Sequence, residues 1–240
     1  MKNSELWRAL GRNCGISIVL FGALLGLLWL AEMIFPSVTL LKWHDPAWVV
    51  GIPASVIGVA YILTIRDPKN YTGFYAGIVM SILLGIQFML QGQYDSMGLY
   101  FCIFIPLQII SIIRWNKPAD DSAKPAFLAP KWMALTFLVF TLIVVGDYLI
   151  SPSLVQLFNG LLIASSIMAN FWLIFRKTDS WIYWIVYSVA GIALFVVVGN
   201  IFSIVLFSFF LVINSMAGLA WLKTTTKENL GWAKIFVKKS

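Results

Sequence analysis

Arg176–Trp184, RKTDSWIYW, is a short basic turn that runs straight into a helix opening on two tryptophans. Trp181 and Trp184 stand at i and i+3, so they lie on one helical face, one turn apart. The run before the turn, from about Leu154 to Phe175, is apolar, and two more apolar runs follow it, ending near Trp221 and Lys223. A weaker version of the pattern stands about 110 residues earlier, where Arg66 precedes Tyr71 by five residues as Arg176 precedes Trp181. That earlier copy closes on Trp115-Asn116-Lys117 and the later one on Trp221-Leu222-Lys223. The sequence therefore reads as one three-segment unit used twice, with function expected in the aromatic-rich second copy.

The composition sets the solvent. Of 240 residues, 60% are hydrophobic and 11% charged, and the mean hydropathy is +0.89. Soluble domains carry about 25% charged residues, so a surface this poor in charge must face lipid. The formal charge of +7 does not point to nucleic acid, because the basic residues sit in short clusters between apolar runs. Cys14 and Cys102 lie at or within apolar runs with no CxxC spacing, and His44 stands alone in a loop beside Asp45-Pro46. No metal, cofactor or disulfide framework is expected. The first apolar run, about 22 residues long without an Ala-x-Ala exit, reads as a spanning helix rather than a signal peptide.

Eight spans are expected, at about 15–36, 47–65, 72–92, 96–115, 131–150, 154–175, 181–198 and 200–222. Each approaches the roughly 20 residues that cross a hydrocarbon core of about 30 Å. The polar, basic segment MKNSELWRALGRN is expected on the inner membrane surface. Breaks fall at Phe35-Pro36-Ser37, Asp67-Pro68-Lys69, Ser151-Pro152-Ser153 and the one sizeable loop, Lys117–Pro130. Threaded with the amino terminus inside, this topology puts 16 of the 17 basic residues in the cytoplasm and only Lys42 outside. Asp45, Asp95 and Asp147 fall on the outer side.

Spans two to four and six to eight then form two triplets. Span five restores direction between them, so the repeat is parallel, a known layout of secondary transporters in which the two triplets rock about a site near mid-membrane. Gln108 precedes Trp115 by seven residues, and Asn214 precedes Trp221 by seven. The expected organisation is an all-α integral membrane protein: 1–45 with an extra, peripheral helix; 46–117, the first three-helix repeat; 118–153, a cytoplasmic loop and linking helix; 154–223, the second repeat with most of the site; and 224–240, a basic cytoplasmic tail.

No Ser/His/Asp grouping, phosphate loop or paired intramembrane carboxylates are visible, so an enzyme or an ATP-driven pump is not expected. Glu32 and Asp147 lie near outer ends, and no acid is central, which favours passage without ion coupling. The polar groups left at depth are neutral: Gln87, Gln91, Gln108, Asn159, Ser165, Ser166, Asn170, Ser188, Asn214 and Ser215. Any one of them suits an ordinary interhelical hydrogen bond. As a set they form stripes: Asn159, Ser166 and Asn170 share one face of span six, and Trp181, Trp184 and Ser188 one face of span seven. Stripes of amides and indoles fit a flat, polar, neutral-to-cationic ligand, stacked on the rings and held through its hydroxyls. The competing reading for both tryptophans is an interfacial belt, which is the expectation for Trp7, Trp43, Trp48, Trp132 and Trp221.

Over roughly Pro46–Lys223 the sequence resembles the PnuC-type family of bacterial vitamin transporters. The resemblance rests on Ala169-Asn170, Arg176-Lys177, Trp181-x-x-Trp184 and Gly199, with Gln93-Tyr94-Asp95 and Trp115 in the first copy. It departs from the usual pattern at Asn159, at Ser188, and at Ile110-Ser111-Ile112-Ile113. The resemblance implies two three-helix bundles joined by a linking helix, similar in fold to full-length SWEET sugar transporters. It implies a protein of the bacterial inner membrane, and the sorting of basic residues puts both termini in the cytoplasm. The implied activity is facilitated diffusion of nicotinamide riboside, followed by trapping through a cytoplasmic kinase. Thiamine, riboflavin and deoxynucleosides are the other cargoes found in the family. The stacking pair falls on Trp181 and Trp184, and the lining amide of the preceding helix on Asn170. With Asn159, Ser166, Ser188, Gln87, Gln91, Gln108 and Asn214, these make up the expected binding set. A homo-oligomer is compatible with this reading, as is the alternative of a non-transporting, substrate-binding membrane subunit.

Overall fold

A computed structural model describes residues 3–34, 44–116, 124–225 and 229–236. The break at Phe35-Pro36-Ser37, Lys42, Trp43, the first part of the Lys117–Pro130 loop and the lysines at 2, 227, 238 and 239 lie outside the described residues. Among the described residues, eight helices are long and apolar enough to cross a membrane, in the order expected. The chain divides into two units, Met1–Lys117 and Pro118–Ser240.

The first unit holds α1 (Asn3–Ile34), α2 (Pro46–Ile65), α3 (Gly73–Leu90), α4 (Tyr94–Leu99), a π-helical turn (Tyr100–Phe104) and α5 (Ile105–Trp115). Asp45 starts α2 by accepting from the Ala47 N–H at 2.9 Å, with Pro46 at the position where a missing N–H costs nothing. The fourth span is one helical rod with a flaw in it. The Ile105 N–H reaches back five residues to the Tyr100 carbonyl, just before Pro106. Proline lacks a donor and crowds the preceding turn, and a wider π turn absorbs both effects.

The first helix departs from expectation. It starts at Asn3, so residues 3–13 of the segment expected on the membrane surface form the first three turns of a 32-residue helix. That helix is about 48 Å long at 1.5 Å per residue, well beyond a hydrocarbon core of about 30 Å. It is held on the unit by polar contacts. Asn13 donates to Thr64 Oγ1 at 3.0 Å, Thr72 Oγ1 donates to the Leu6 carbonyl at 3.2 Å, and the Trp7 and Tyr75 rings lie 5.1 Å apart.

The second unit holds α6 (Pro130–Ile150), α7 (Leu154–Ile174), α8 (Asp179–Val198), α9 (Ile201–Thr224) and a 3₁₀ turn (Gly231–Phe236). Ser153 caps α7 through the Gln156 N–H, and Asn200 caps α9 through the Ser203 N–H. Between α8 and α9 the chain turns in two residues. Gly199 takes the left-handed conformation at φ 74°, and the Asn200 N–H returns to the Phe195 carbonyl at 3.0 Å. The turn before α8 uses the same device without glycine: Arg176 stands at φ 52°, and the Lys177 N–H bonds to the Trp172 carbonyl at 3.0 Å.

Burial sorts the tryptophans. Trp7 and Trp132 are exposed, as belt residues should be, and Trp48 is half-buried. Trp221 is not a belt residue: it is fully buried on α9, against Trp181. Large apolar side chains on the outer faces are open, Ile150 at 80% and Val19 at 71%, which suits lipid and not water.

Candidate substrate-binding site

In the second unit, α8 presents Trp181, Trp184 and Ser188 along one face, and that face packs on α9. Trp181 is 1% exposed and Trp184 8%, so both indoles are inside the protein. The Trp181 ring meets Trp221 edge-on, with centroids 5.6 Å apart at 72°. Trp184 meets Tyr187 at 5.5 Å and 87°. Close approach at Trp181 depends on Gly218, where an added Cβ would lie 3.0 Å from the Trp181 Cβ. One turn past Ser188, Gly191 continues the face, and the Phe207 ring occupies the space its side chain would need.

Asn214 joins the two helices. Its Nδ2 donates to Ser188 Oγ at 3.1 Å and lies 3.4 Å from the Trp184 carbonyl. Ser188 Oγ in turn donates to the Trp184 carbonyl at 2.9 Å. Three polar atoms in this cluster are buried without a hydrogen-bond partner among the described residues: Nε1 of Trp181, Nε1 of Trp184 and Oδ1 of Asn214. Each such atom normally costs about 1–3 kcal/mol when left unmet in a core. Two donors and an acceptor kept at that cost are groups suited to a polar ligand.

The structure thus brings Trp181, Trp184, Ser188 and Asn214 together. Ser166 and Asn170 are buried on the neighbouring α7, where Asn170 Nδ2 donates to the Ser166 carbonyl at 2.9 Å. Asn159 is half-buried on the same helix, beside Gly160, which packs on Asp147. The three glutamines belong to the first unit. Gln108 is buried and donates to the Tyr61 hydroxyl at 3.3 Å. Gln87 is half-buried over Gly51, and Gln91 is exposed at the end of α3.

The first unit repeats the contacts of the cluster with smaller groups. Phe74 meets Trp115 edge-on at 4.7 Å and 89°, as Trp181 meets Trp221. Ser81 Oγ donates to the Gly77 carbonyl at 2.8 Å, as Ser188 does to Trp184. By these contacts Phe74, not Tyr71, stands where Trp181 does, and Gly77 stands where Trp184 does. Gln108 Oε1 would lie 2.8 Å from a Cβ at Gly77. The first unit therefore fills with an amide the place that the second gives to an indole.

Two open grooves lie away from the indole pair. One, of about 420 Å³, is lined by Pro130, Met133, Ala134, Phe137, Tyr183 and Trp232. The other, of about 510 Å³, lies in the first unit between α1 and the end of α2, with Arg12, Asn13, Thr64, Arg66 and Asp67 in its walls. Sequence reasoning missed Gly191 and Gly218, whose only signal was helical spacing from Trp184 and Trp221. It also missed Asp179 and Trp232, which meet across 53 residues.

Eight apolar spans among the described residues define a multi-pass membrane protein, and its second unit buries a cluster of indoles and amides. A family model described as nicotinamide mononucleotide transporter matches residues 47–223, and the chain belongs to that family, the PnuC family of membrane transporters. The match begins at α2 and leaves out α1. A crystal structure of the vitamin B3 transporter PnuC is similar in fold, with a TM-score of 0.62 at 17% identity, over 87% of this chain and 91% of that one. No curated protein matches the sequence.

Proposed function

We propose that the protein takes up nicotinamide riboside across the bacterial inner membrane by facilitated diffusion, and that a cytoplasmic kinase then traps the product by phosphorylation. The observation that carries this reading is the buried pair Trp181 and Trp184 with two unmet indole N–H groups beside the unmet Asn214 Oδ1. The indole faces suit a pyridinium ring, flat and positively charged, through stacking and cation–π attraction. The unmet donors and acceptor suit the carboxamide and ribose hydroxyls, with Ser188 on the same helix and Asn170 on the neighbouring one. Asn159 and the hydroxyl of Ser166, both on α7 of the same unit, complete the proposed contacts.

Charge favours the riboside over its phosphate ester. Among the described buried polar residues, Asp179 at the first position of α8 carries the one ionisable acid, and the rest are amides and hydroxyls. A phosphate dianion taken into such surroundings without a cation would lose its hydration uncompensated. The neutral lining also supports passage without ion coupling. Repeated contacts in the two units support the parallel-repeat reading, and the sorting of basic residues supports cytoplasmic termini.

Calorimetry on the detergent-purified chain tests the cargo. Nicotinamide riboside should bind, while nicotinamide mononucleotide, thiamine, riboflavin and deoxynucleosides bind at least about tenfold more weakly, a difference of about 1.4 kcal/mol. Equal or tighter binding of the mononucleotide would overturn the charge argument. Binding of thiamine or a deoxynucleoside alone would move the cargo within the family.

A further inference from the structure

Asp179 opens α8 two residues before Trp181, and its side chain is fully buried. Both carboxyl oxygens are engaged. Oδ2 accepts from the Leu128 backbone N–H at 2.7 Å, and Oδ1 accepts from the indole N–H of Trp232. Leu128 lies in the segment leading into α6, and Trp232 in the 3₁₀ turn near the end of the chain. These two segments also hold each other. The Trp232 N–H donates to the Leu128 carbonyl at 2.9 Å, the Phe127 N–H donates to the Asn229 carbonyl at 2.8 Å, and the Phe127 and Trp232 rings meet edge-on at 5.7 Å.

The crossing needs glycine. Gly231 has φ 51°, and a Cβ there would lie 2.2 Å from the Leu128 carbonyl oxygen. The turn before α8 is tied to the same segment: the Ala126 N–H donates to the Arg176 carbonyl at 3.2 Å, and the Thr178 N–H to the Ala126 carbonyl at 2.9 Å. Thr178 Oγ1 lies 3.1 Å from Thr225 Oγ1 at the end of α9. Two segments distant in sequence thus converge on one carboxyl group at the start of the helix that carries both tryptophans.

We propose that Asp179 is a positioning residue for Trp181 and Trp184, and that the carboxy-terminal turn, through Trp232, is the clamp that sets it. The proposal rests on the reading of those two tryptophans as substrate contacts. A helix start bonded at two oxygens is held against rotation and sliding. Rotation would turn both indole faces together, because they lie on one stripe. Misplacing a binding group by about 1 Å is enough to weaken binding severely.

The test uses the full-length chain in liposomes. Trp232→Phe keeps a ring against Phe127 and removes only the N–H. The half-saturating concentration for nicotinamide riboside uptake should rise about tenfold, the size of one lost hydrogen bond to a charged group. The maximal rate should stay near that of the wild type, and the thermal midpoint should fall only by the few degrees that one lost buried hydrogen bond costs a chain of this size. Asp179→Asn, with one amide oxygen for two donors, should shift half-saturation in the same direction and at least as far. In both variants the backbone amides of Ser180–Trp184 should exchange hydrogen faster. Faster exchange with an unchanged half-saturation would make the clamp structural only and overturn the positioning claim. Unchanged exchange and half-saturation would remove the clamp altogether. A wild type that carries no nicotinamide riboside would sink the proposed function, and the positioning claim with it. A variant indistinguishable from an active wild type sinks the positioning claim alone.

Discussion

Alanine at both Trp181 and Trp184 is expected to abolish saturable uptake of nicotinamide riboside. Base–aromatic stacking contributes about 1–3 kcal/mol per ring, so losing two rings should weaken binding by roughly 30-fold to 10⁴-fold. Part of the loss would reflect packing, because Trp181 is fully buried against Trp221 and its truncation leaves a cavity costing about 3–5 kcal/mol. Trp184→Leu reduces the packing loss, since it keeps part of the apolar volume while removing the indole face and its N–H. That single variant should keep its elution profile and helical content while losing most of its affinity. Wild-type uptake by folded Trp184→Leu would remove the site assignment.

Valine at Gly191 should disrupt the same cluster from the side of the scaffold. A Cβ there would fall 1.9 Å from the Phe207 ring, so α8 and α9 must separate or the ring must leave its place. Overpacking of this kind costs about 2–4 kcal/mol, which should lower the thermal midpoint by roughly 5–15 °C. The Asn214–Ser188 bond spans the same helix pair, so binding should fall with stability. Gly146→Ala is the control, because nothing lies within 4 Å of its added Cβ and no loss of stability is expected inside the α6 helix. A Gly191→Val protein as stable as the wild type would refute this packing account.

The spans were legible because lipid imposes a length and a polarity that a linear sequence cannot hide. The tryptophan stripe was legible because i, i+3 and i+7 fix a helical face whatever the tertiary fold. The length of α1 was misjudged because Glu5, Arg8 and Arg12 look like a surface segment. The structural signal was the spacing of Leu6, Asn13, Ser17, Phe21 and Leu28, the residues that α1 buries. Trp221 was read as a belt residue because it ends a span beside Lys223. Only the contact with Trp181, 40 positions away in sequence, reveals it as core. The Asp179–Trp232 pair was illegible for the same reason. Nothing local marks an acid at a helix start as anything but a favourable charge near the dipole.

The central claim is transport, and flux measures it most directly. The purified chain should be reconstituted in liposomes and given labelled nicotinamide riboside with no ion gradient. Uptake should be saturable, should equilibrate without accumulating, and should be blocked by unlabelled riboside but not by the mononucleotide. Accumulation above equilibrium on imposing a sodium or proton gradient would contradict uncoupled passage. Absence of saturable flux from a folded, riboside-binding protein would contradict facilitated diffusion itself.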